Sequence, residues 1–202
     1  MAIGASALPM AAAMAVCTGF ILAFQGATEL SRFGALQYVV DLVTIGFTRE
    51  LGPLITALIV AGRSGTAIAA ELATNRVMGE VDALEGMGID PQHYLVLPRF
   101  GGAIVSVFGL IILFDLVAIM AGLVAASTSG NAMSSARYFE IVLRSLTFRD
   151  TWLTIAKGLV FGAIIGTVPS FHGLRVGRAA TDAGAAASAA AALPRRDRAD
   201  EP

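Results

Sequence analysis

The sequence predicts an all-α integral membrane protein with four transmembrane helices and one short helix outside the membrane. Two observations carry this prediction. The 202 residues are 56% hydrophobic and only 14% charged, whereas soluble domains usually carry about 25% charged residues. Four separate stretches also reach the roughly 20 mostly apolar residues that a helix needs to cross a bilayer. These stretches are residues 6–26, 50–72, 101–127 and 151–171.

The first stretch contains no charged residue. Because no basic residue follows Met1 closely and the apolar run is longer than a usual signal-peptide core, we interpret it as a retained helix. A shorter apolar stretch at residues 33–47 contains Asp41. This stretch is either an interfacial segment or an extension of the second transmembrane helix.

The composition also excludes several function classes. A net charge of −1 gives no electrostatic basis for binding nucleic acid. The single Cys17 excludes an internal disulfide and a cysteine metal cluster, and we expect no metal site. The sequence contains no nucleotide-binding motif. We therefore expect no cofactor in this chain and no enzymatic activity of its own.

The loop between the second and third spans predicts a short amphipathic helix over residues 77–88. Thr74 or Asn75 can cap it, and Gly86 and Gly88 end it. Helices that lie on a membrane surface usually carry Lys and Arg on the polar face. This polar face is acidic, which favours docking into a protein over lying flat on the bilayer. The apolar positions are Val77, Val81 and Leu84, and the acidic ones are Glu80, Asp82 and Glu85.

Four ungapped motifs in this region follow one another in a recognisable order. They are Arg-Glu-Leu-Gly-Pro from Arg49, Ala-Gly-Arg-Ser-Gly-Thr from Ala61, Glu-Val-Asp-Ala-Leu-Glu-Gly-Met-Gly-Ile-Asp-Pro from Glu80, and Leu-Pro-Arg from Leu97. Together they closely resemble the MlaE/YrbE family over about residues 3 to 180. Members of that family are permease subunits of MCE-type ABC transporters, which move phospholipids or other lipids between membranes.

The resemblance implies an assembly and a location. The partners would be a second permease copy, either identical or a paralogue, a cytoplasmic ABC ATPase, a periplasmic MCE-domain protein and membrane lipid. The chain would be a multi-pass protein of the bacterial inner membrane. Because arginine counts alone decide the orientation weakly, it is the resemblance that places the loop at residues 74–99 in the cytoplasm. The short helix would then be the coupling helix that rests on the ATPase.

The sequence departs from the family pattern at both ends. Members usually begin with an amphipathic elbow helix and finish with a further transmembrane helix. Here an alanine-rich stretch is followed by a charged, proline-containing end. We therefore expect a permease domain at residues 1–178 and a poorly ordered tail at residues 179–202. One alternative function follows, a non-transporting structural subunit or degenerate permease fragment.

Ionisable residues in or beside the spans form a candidate intramembrane polar cluster. A charge at mid-membrane costs about 2.5–3.5 kcal/mol or more, so it needs a partner or a water-filled cavity. Glu50 lies on the side of the membrane where the fourth span begins, which makes it the natural partner of Lys157. The cluster either lines a lipid cavity, relays the ATPase stroke, or holds helices together. Its candidates are Arg49, Glu50, Arg63, Glu71, Asp115 and Lys157.

The sequence identifies no single partner for three of these candidates. Arg63 and Glu71 are eight positions apart and share a helix face, so each can bind a neighbour of the other. Asp115 has no obvious partner in the sequence. A structural role, bonded to backbone or serine, and a functional role are equally open for it.

Apolar residues of the first and third spans predict a lipid-binding cavity formed with a second copy. A sugar or an amino acid would need several convergent hydrogen-bonding side chains, and the first span offers only Thr18 and Gln25. Flexible methionines suit acyl chains of variable shape. The alternative is that these residues simply face the bilayer. The candidate cavity residues are Met14, Phe20, Phe24, Leu110 and Phe114.

Two further patterns have competing interpretations. Gly158, Gly162 and Gly166 lie on one face of the fourth span, for packing within the chain or along a dimer seam. The Gly-Arg-Ser-Gly sequence around Ser64, with His172 later, matches a weak pattern of intramembrane serine proteases. Such a dyad needs hydrogen-bond reach, and the predicted depths of the two residues differ.

Overall fold

The computed structural model describes residue 5 and residues 7–35, 38–128 and 134–175. Six helices follow one another in this part of the chain, and four of them can cross a membrane. The predicted fold class is therefore confirmed. The tail expected at residues 179–202 lies outside the described residues, as do residues 176–178. The helices are α1 (Leu8–Arg32), α2 (Val39–Val77), α3 (Glu80–Gly86), α4 (Gln92–Thr128), α5 (Ser135–Ser145) and α6 (Phe148–Leu174).

Helix α2 contains both the second predicted span and most of the apolar stretch at residues 33–47. Of the two interpretations of this stretch, the structure therefore shows the extension of the second transmembrane helix. Two π turns, Phe47–Leu51 and Ala61–Gly65, interrupt the α-helical hydrogen bonding. The first π turn ends just before Pro53, whose nitrogen cannot donate to the Arg49 carbonyl four residues earlier. The helix thus continues through the proline and leaves backbone carbonyls for other donors.

Helix α1 packs against α4 through very small side chains. A Cβ atom at Gly19 would overlap the backbone carbonyl of Ala118. Close approach over small residues is the usual way helices associate in lipid, where burial of apolar surface gives no net gain. The large side chains of α1 consequently point away from the bundle. The buried positions of α1 are Ala11, Ala15, Gly19, Ala23 and Gly26.

Helix α6 packs against α4 along the glycine face predicted from the sequence. A Cβ atom at Gly162 would lie 2.6 Å from the Cα atom of Ile104. The structure therefore shows the packing within the chain, which was one of the two interpretations of this face. Gly158, Gly162 and Gly166 lie against Phe108, Ile104 and Phe100 in turn.

The short helix α3 lies at one end of the bundle, called here the α3 end. It is shorter than predicted and begins at Glu80, because Gly79 adopts a left-handed conformation (φ +79°) that separates it from α2. Val77 is accordingly the last residue of α2. The side chain of Val81 is buried in a small hydrophobic core. The other buried members of this core are Ile68 and Leu72 of α2 and Leu95 of α4.

An amphipathic helix that the sequence analysis did not predict, α5, lies at the opposite end, called the α5 end. The Ser134 side chain caps it by accepting a hydrogen bond from the Arg137 backbone N–H at 3.3 Å. Tyr138 anchors it to α4 by donating to the Ile119 carbonyl at 2.9 Å. Burial raises the pKa of Tyr138 to about 12, so this contact persists across the physiological pH range.

Candidate functional site

The structure divides the six predicted polar residues among several places. Arg49 and Glu50 on α2 meet Lys157 on α6, as the pairing argument required. Glu71 instead binds Arg99, with 2.8 Å between Oε1 and Nη2. Arg63 is exposed on the outer face of α2 and forms no ion pair with any described residue. Asp115 lies on α4 against Gly52.

The residues that come together form an ion-pair cluster, defined here as Arg49, Glu50, Asp150 and Lys157. Lys157 Nζ lies 3.0 Å from Glu50 Oε2. Arg49 Nε lies 2.6 Å from Asp150 Oδ1. Two cations therefore face two anions between the second and fourth spans, and the cluster carries no net charge.

Asp150 is a member of the cluster that the sequence analysis missed. Its side chain is only 2% exposed. Besides binding Arg49, it accepts the Thr147 backbone N–H at 3.0 Å and so completes a capping box at the start of α6. The signal was present in the sequence, because threonine followed three positions later by an acidic residue is typical of a helix N-terminus.

The π turn in α2 explains why α6 carries polar residues at this depth. Gly52 N–H bonds to the Phe47 carbonyl and not to that of Thr48, and Pro53 has no N–H for the Arg49 carbonyl. Both carbonyls receive donors from α6. Thr154 Oγ1 donates to Thr48 O at 3.0 Å, and Lys157 Nζ donates to Arg49 O. Freed backbone groups in a membrane helix must be satisfied in this way.

The two ion pairs differ in their surroundings. The side chains of Arg49 and Asp150 are 32% and 2% exposed, so this pair lies mostly inside the bundle. Glu50 is 76% exposed and Lys157 30% exposed. A carboxylate exposed on a membrane span requires water or a partner surface. The Glu50 side of the cluster is therefore the side available for function.

The predicted cavity residues do not form one wall. Leu110 and Phe114 are buried within the chain, where Phe114 packs on Phe47 with ring centroids 6.2 Å apart. Met14, Phe20 and Phe24 are exposed on the outer side of α1. The reason is that α4 presents this apolar face to α2 and to the small residues of α1.

The short helix keeps its predicted acidic residues at the surface. Glu80 and Glu85 are exposed, whereas Val81 and part of Leu84 face the bundle. Arg76 Nη1 lies 3.2 Å from Asp82 Oδ1 and 3.9 Å from Glu85 Oε1, which fixes α3 to the end of α2.

Comparison with known proteins agrees with this architecture. The family model described as Permease MlaE matches residues 1–193. The chain belongs to the MlaE permease family. It is accordingly a multi-pass membrane protein of the ABC permease type, and family membership favours a transport subunit over an intramembrane protease. Ser64, the nucleophile of the protease hypothesis, is also buried.

Several relatives extend this MlaE assignment. A probable ABC transporter permease of Rickettsia typhi is 37% identical over 188 residues, which cover 93% of this chain and 72% of the relative. The intermembrane phospholipid transport system permease protein MlaE of Haemophilus influenzae is 31% identical over 157 residues, 77% of this chain and 59% of that protein. The chloroplastic protein trigalactosyldiacylglycerol 1 of Arabidopsis thaliana is 32% identical over 156 residues, 77% of this chain and 44% of that protein.

A charge swap tests the pairing of Glu50 with Lys157. Glu50→Lys and Lys157→Glu should each lower thermal stability in detergent, and Lys157→Glu should lower it more because it also removes the donor to Arg49 O. The double variant should recover about 1 kcal/mol, the usual value for an exposed pair. A double variant as unstable as the sum of the two single variants would show that the pair contributes nothing.

Proposed function

We propose that this chain is the membrane subunit of an ABC transporter that moves phospholipid or another lipid between membranes. The observation that carries the proposal is the construction of α3. This helix is anchored to the bundle by Val81 and by the ion pair between Asp82 and Arg76, while the side chains of Glu80 and Glu85 are exposed. A helix held in this way transmits movement between a bound protein and the spans to which it is attached.

The partner at the α3 end would be a cytoplasmic ABC ATPase with a basic or polar groove. Charge complementarity supports this choice, since Glu80 and Glu85 are exposed and both lie on a helix between two spans. The α5 end would then face the periplasm of a bacterial inner membrane, where an MCE-domain protein would receive or deliver lipid. The Haemophilus influenzae relative, a phospholipid transport permease, supports lipid as the cargo.

A second copy of the permease, or a paralogue, would complete the lipid path. Met14, Phe20 and Phe24 lie exposed along α1, and the rings of Phe20 and Phe24 stack with centroids 6.2 Å apart. These residues are the part of the predicted cavity wall that remains open to a partner. The Glu50 side of the ion-pair cluster would line the same path or relay the ATPase stroke.

Replacing Glu80 by lysine tests the docking role of α3. The variant should reduce co-purification of the ATPase by about tenfold, because it places a cation where an acidic contact is proposed. Glu140→Lys on α5 is the matched control, since Glu140 is also an exposed glutamate but lies at the other end. Membrane insertion should be normal in both. Equal recovery of the ATPase with both variants would rule out docking through this face.

The alternative is a structural or degenerate permease that binds its partners without moving lipid. It predicts the same co-purification but no lipid movement. Lipid capture that changes on addition of ATP separates the two.

A further inference from the structure

A polar pocket of about 460 Å³ lies at the α5 end, between the start of α2 and one flank of α5. This volume is within the range of sites that hold small ligands. The lining residues are Tyr38, Asp41, Arg137, Ile141, Arg144 and Ser145. Because all of these except Ile141 have polar side chains, the pocket favours an occupant that is itself polar.

Two opposite charges line this pocket without forming an ion pair. Within the described part of the chain, Arg144 is exposed and has no hydrogen-bond or ion-pair partner. Asp41 is half-buried, and its Oδ1 atom contacts the Ser145 hydroxyl. That hydroxyl also lies 2.8 Å from the Ile141 carbonyl oxygen, and its single hydrogen serves one acceptor at a time. A carboxylate offers about four lone-pair positions, so Asp41 keeps the capacity to accept from a ligand.

The second cation of the lining, Arg137, is already neutralised. Its Nη1 atom lies 3.2 Å from Oε2 of Glu140, one turn further along α5. Arg144 and Asp41 balance each other, so this group of side chains carries no net charge. An anion would be attracted by Arg144 and repelled by Asp41, and a cation would meet the reverse. The charge pattern is therefore complementary to a ligand that carries one charge of each sign.

The pocket lies at the level of the boundary between membrane and water. Phe148 and Trp152 are exposed in the first turns of α6, and aromatic side chains of membrane proteins concentrate at this boundary. Helix α5 has an exposed apolar residue, Leu143, beside Arg144. Arginines on one side of an amphipathic helix and apolar residues on the other are typical of a helix in this boundary. The polar head of a membrane lipid is found at the same depth.

We propose that the pocket binds a zwitterionic head that combines a phosphate ester with a primary amine. The phosphate accepts hydrogen bonds from Tyr38 and from the Arg144 guanidinium, whose planar fork matches phosphate oxygens. The ammonium group donates to Asp41. Phosphate is the anion chosen because the pocket lies at the depth of lipid phosphates. Either a lipid or a free small molecule can present this head, and the proposed function enters only in treating such a lipid as cargo.

Binding of water-soluble heads gives the first test. The full chain in maltoside detergent, which has an uncharged head, is titrated with phosphoethanolamine, phosphocholine and glycerol phosphate, and saturation-transfer NMR measures binding. Phosphoethanolamine should bind saturably. The other two probes should bind at least about tenfold more weakly, because a quaternary ammonium cannot donate to Asp41 and glycerol phosphate has no positive charge.

Two variants connect this selectivity to the pocket. Arg144→Gln should weaken phosphoethanolamine and glycerol phosphate alike by about tenfold. Asp41→Asn keeps an oxygen for the Ser145 hydroxyl but removes the charge, so it should weaken phosphoethanolamine and leave glycerol phosphate unchanged. The matched controls are Arg32→Gln and Glu29→Gln, which alter an exposed ion pair of α1 outside the pocket.

Nanodiscs distinguish a lipid from a free molecule. In discs made of equal parts of phosphatidylethanolamine and phosphatidylglycerol, native mass spectrometry counts the lipids that remain on the chain. If a lipid is the ligand, phosphatidylethanolamine should be retained preferentially, and Asp41→Asn should remove the preference. Selective binding of soluble phosphoethanolamine without a lipid preference would assign the pocket to a free phosphate ester.

Three results would overturn the proposal. Equal binding of the three soluble probes would show that Asp41 selects no amine. Unchanged binding in both Arg144→Gln and Asp41→Asn would place the probe elsewhere. Neither saturable binding nor a lipid preference in the parent chain would mean that water or the surface of another protein fills the pocket. Because no ATPase is present, these results do not depend on whether the chain transports lipid.

Discussion

Gly162→Ala is expected to destabilise the protein by about 1–3 kcal/mol, the usual cost of inserting a group into a packed interface. The new Cβ atom would lie 2.6 Å from the Cα atom of Ile104, which belongs to the backbone of α4 and cannot rotate away. Helices α4 and α6 would have to separate. Because both carry residues of the candidate sites, transport should fall with stability.

Gly109→Ala is the matched control for this change. Gly109 lies in the interior of α4 with no atom within 4 Å of an added Cβ. Alanine is favoured over glycine in a helix by up to about 1 kcal/mol, so this variant should be as stable as the parent chain or more stable. Thermal unfolding in detergent measures both. If Gly162→Ala unfolded at the same temperature as Gly109→Ala, the α4–α6 contact would be looser than described.

Asp150→Ala is expected to have an effect of similar or larger size, about 3–5 kcal/mol. The carboxylate is 2% exposed and serves two groups at once, Arg49 Nε at 2.6 Å and Thr147 N–H at 3.0 Å. Its loss leaves a guanidinium unpaired inside the bundle and removes one of the two hydrogen bonds of the capping box of α6. Asp150→Asn, which keeps an acceptor of the same size, should lose less.

Two comparisons give this prediction its controls. Glu140→Ala removes an exposed carboxylate that pairs with Arg137 one turn away, and such pairs contribute at most about 1 kcal/mol. The double variant Arg49→Ala/Asp150→Ala should lose less than the sum of the single losses, because no charge is left alone. Strict additivity would contradict a direct interaction between Arg49 and Asp150.

The sequence predicts the spans well because a bilayer requires long apolar helices and leaves few alternatives. The same constraint identified Glu50 as the partner of Lys157, since a charge at this depth must be compensated. The short helix between the second and third spans was predicted from its amphipathic pattern and its terminating glycines. The predicted short helix was too long at its N-terminal end, where it included Val77 and Met78. The difference arises because the left-handed conformation of Gly79 separates these residues from α3.

Other features depended on contacts that no local pattern reveals. Glu71 binds Arg99, which follows it by 28 positions across the α3 loop. Asp150 was not among the candidates because the predicted fourth span began one residue later, at residue 151. The sequence could not separate the buried Leu110 and Phe114 from the exposed residues of α1, because lipid and protein interior are equally apolar. In α1, only the small residues between Ala11 and Gly26 indicate which face of the helix packs against the bundle.

The most direct test of the account is capture of lipid by a photoreactive residue at Phe24, in the permease assembled with its ATPase. Val105, exposed on α4, provides the matched position that reports the surrounding bilayer. We predict that capture of phospholipid at Phe24 depends on the second copy and changes on addition of ATP, while capture at Val105 does not change. Equal labelling at both positions, insensitive to ATP, would contradict the claim that this chain moves lipid.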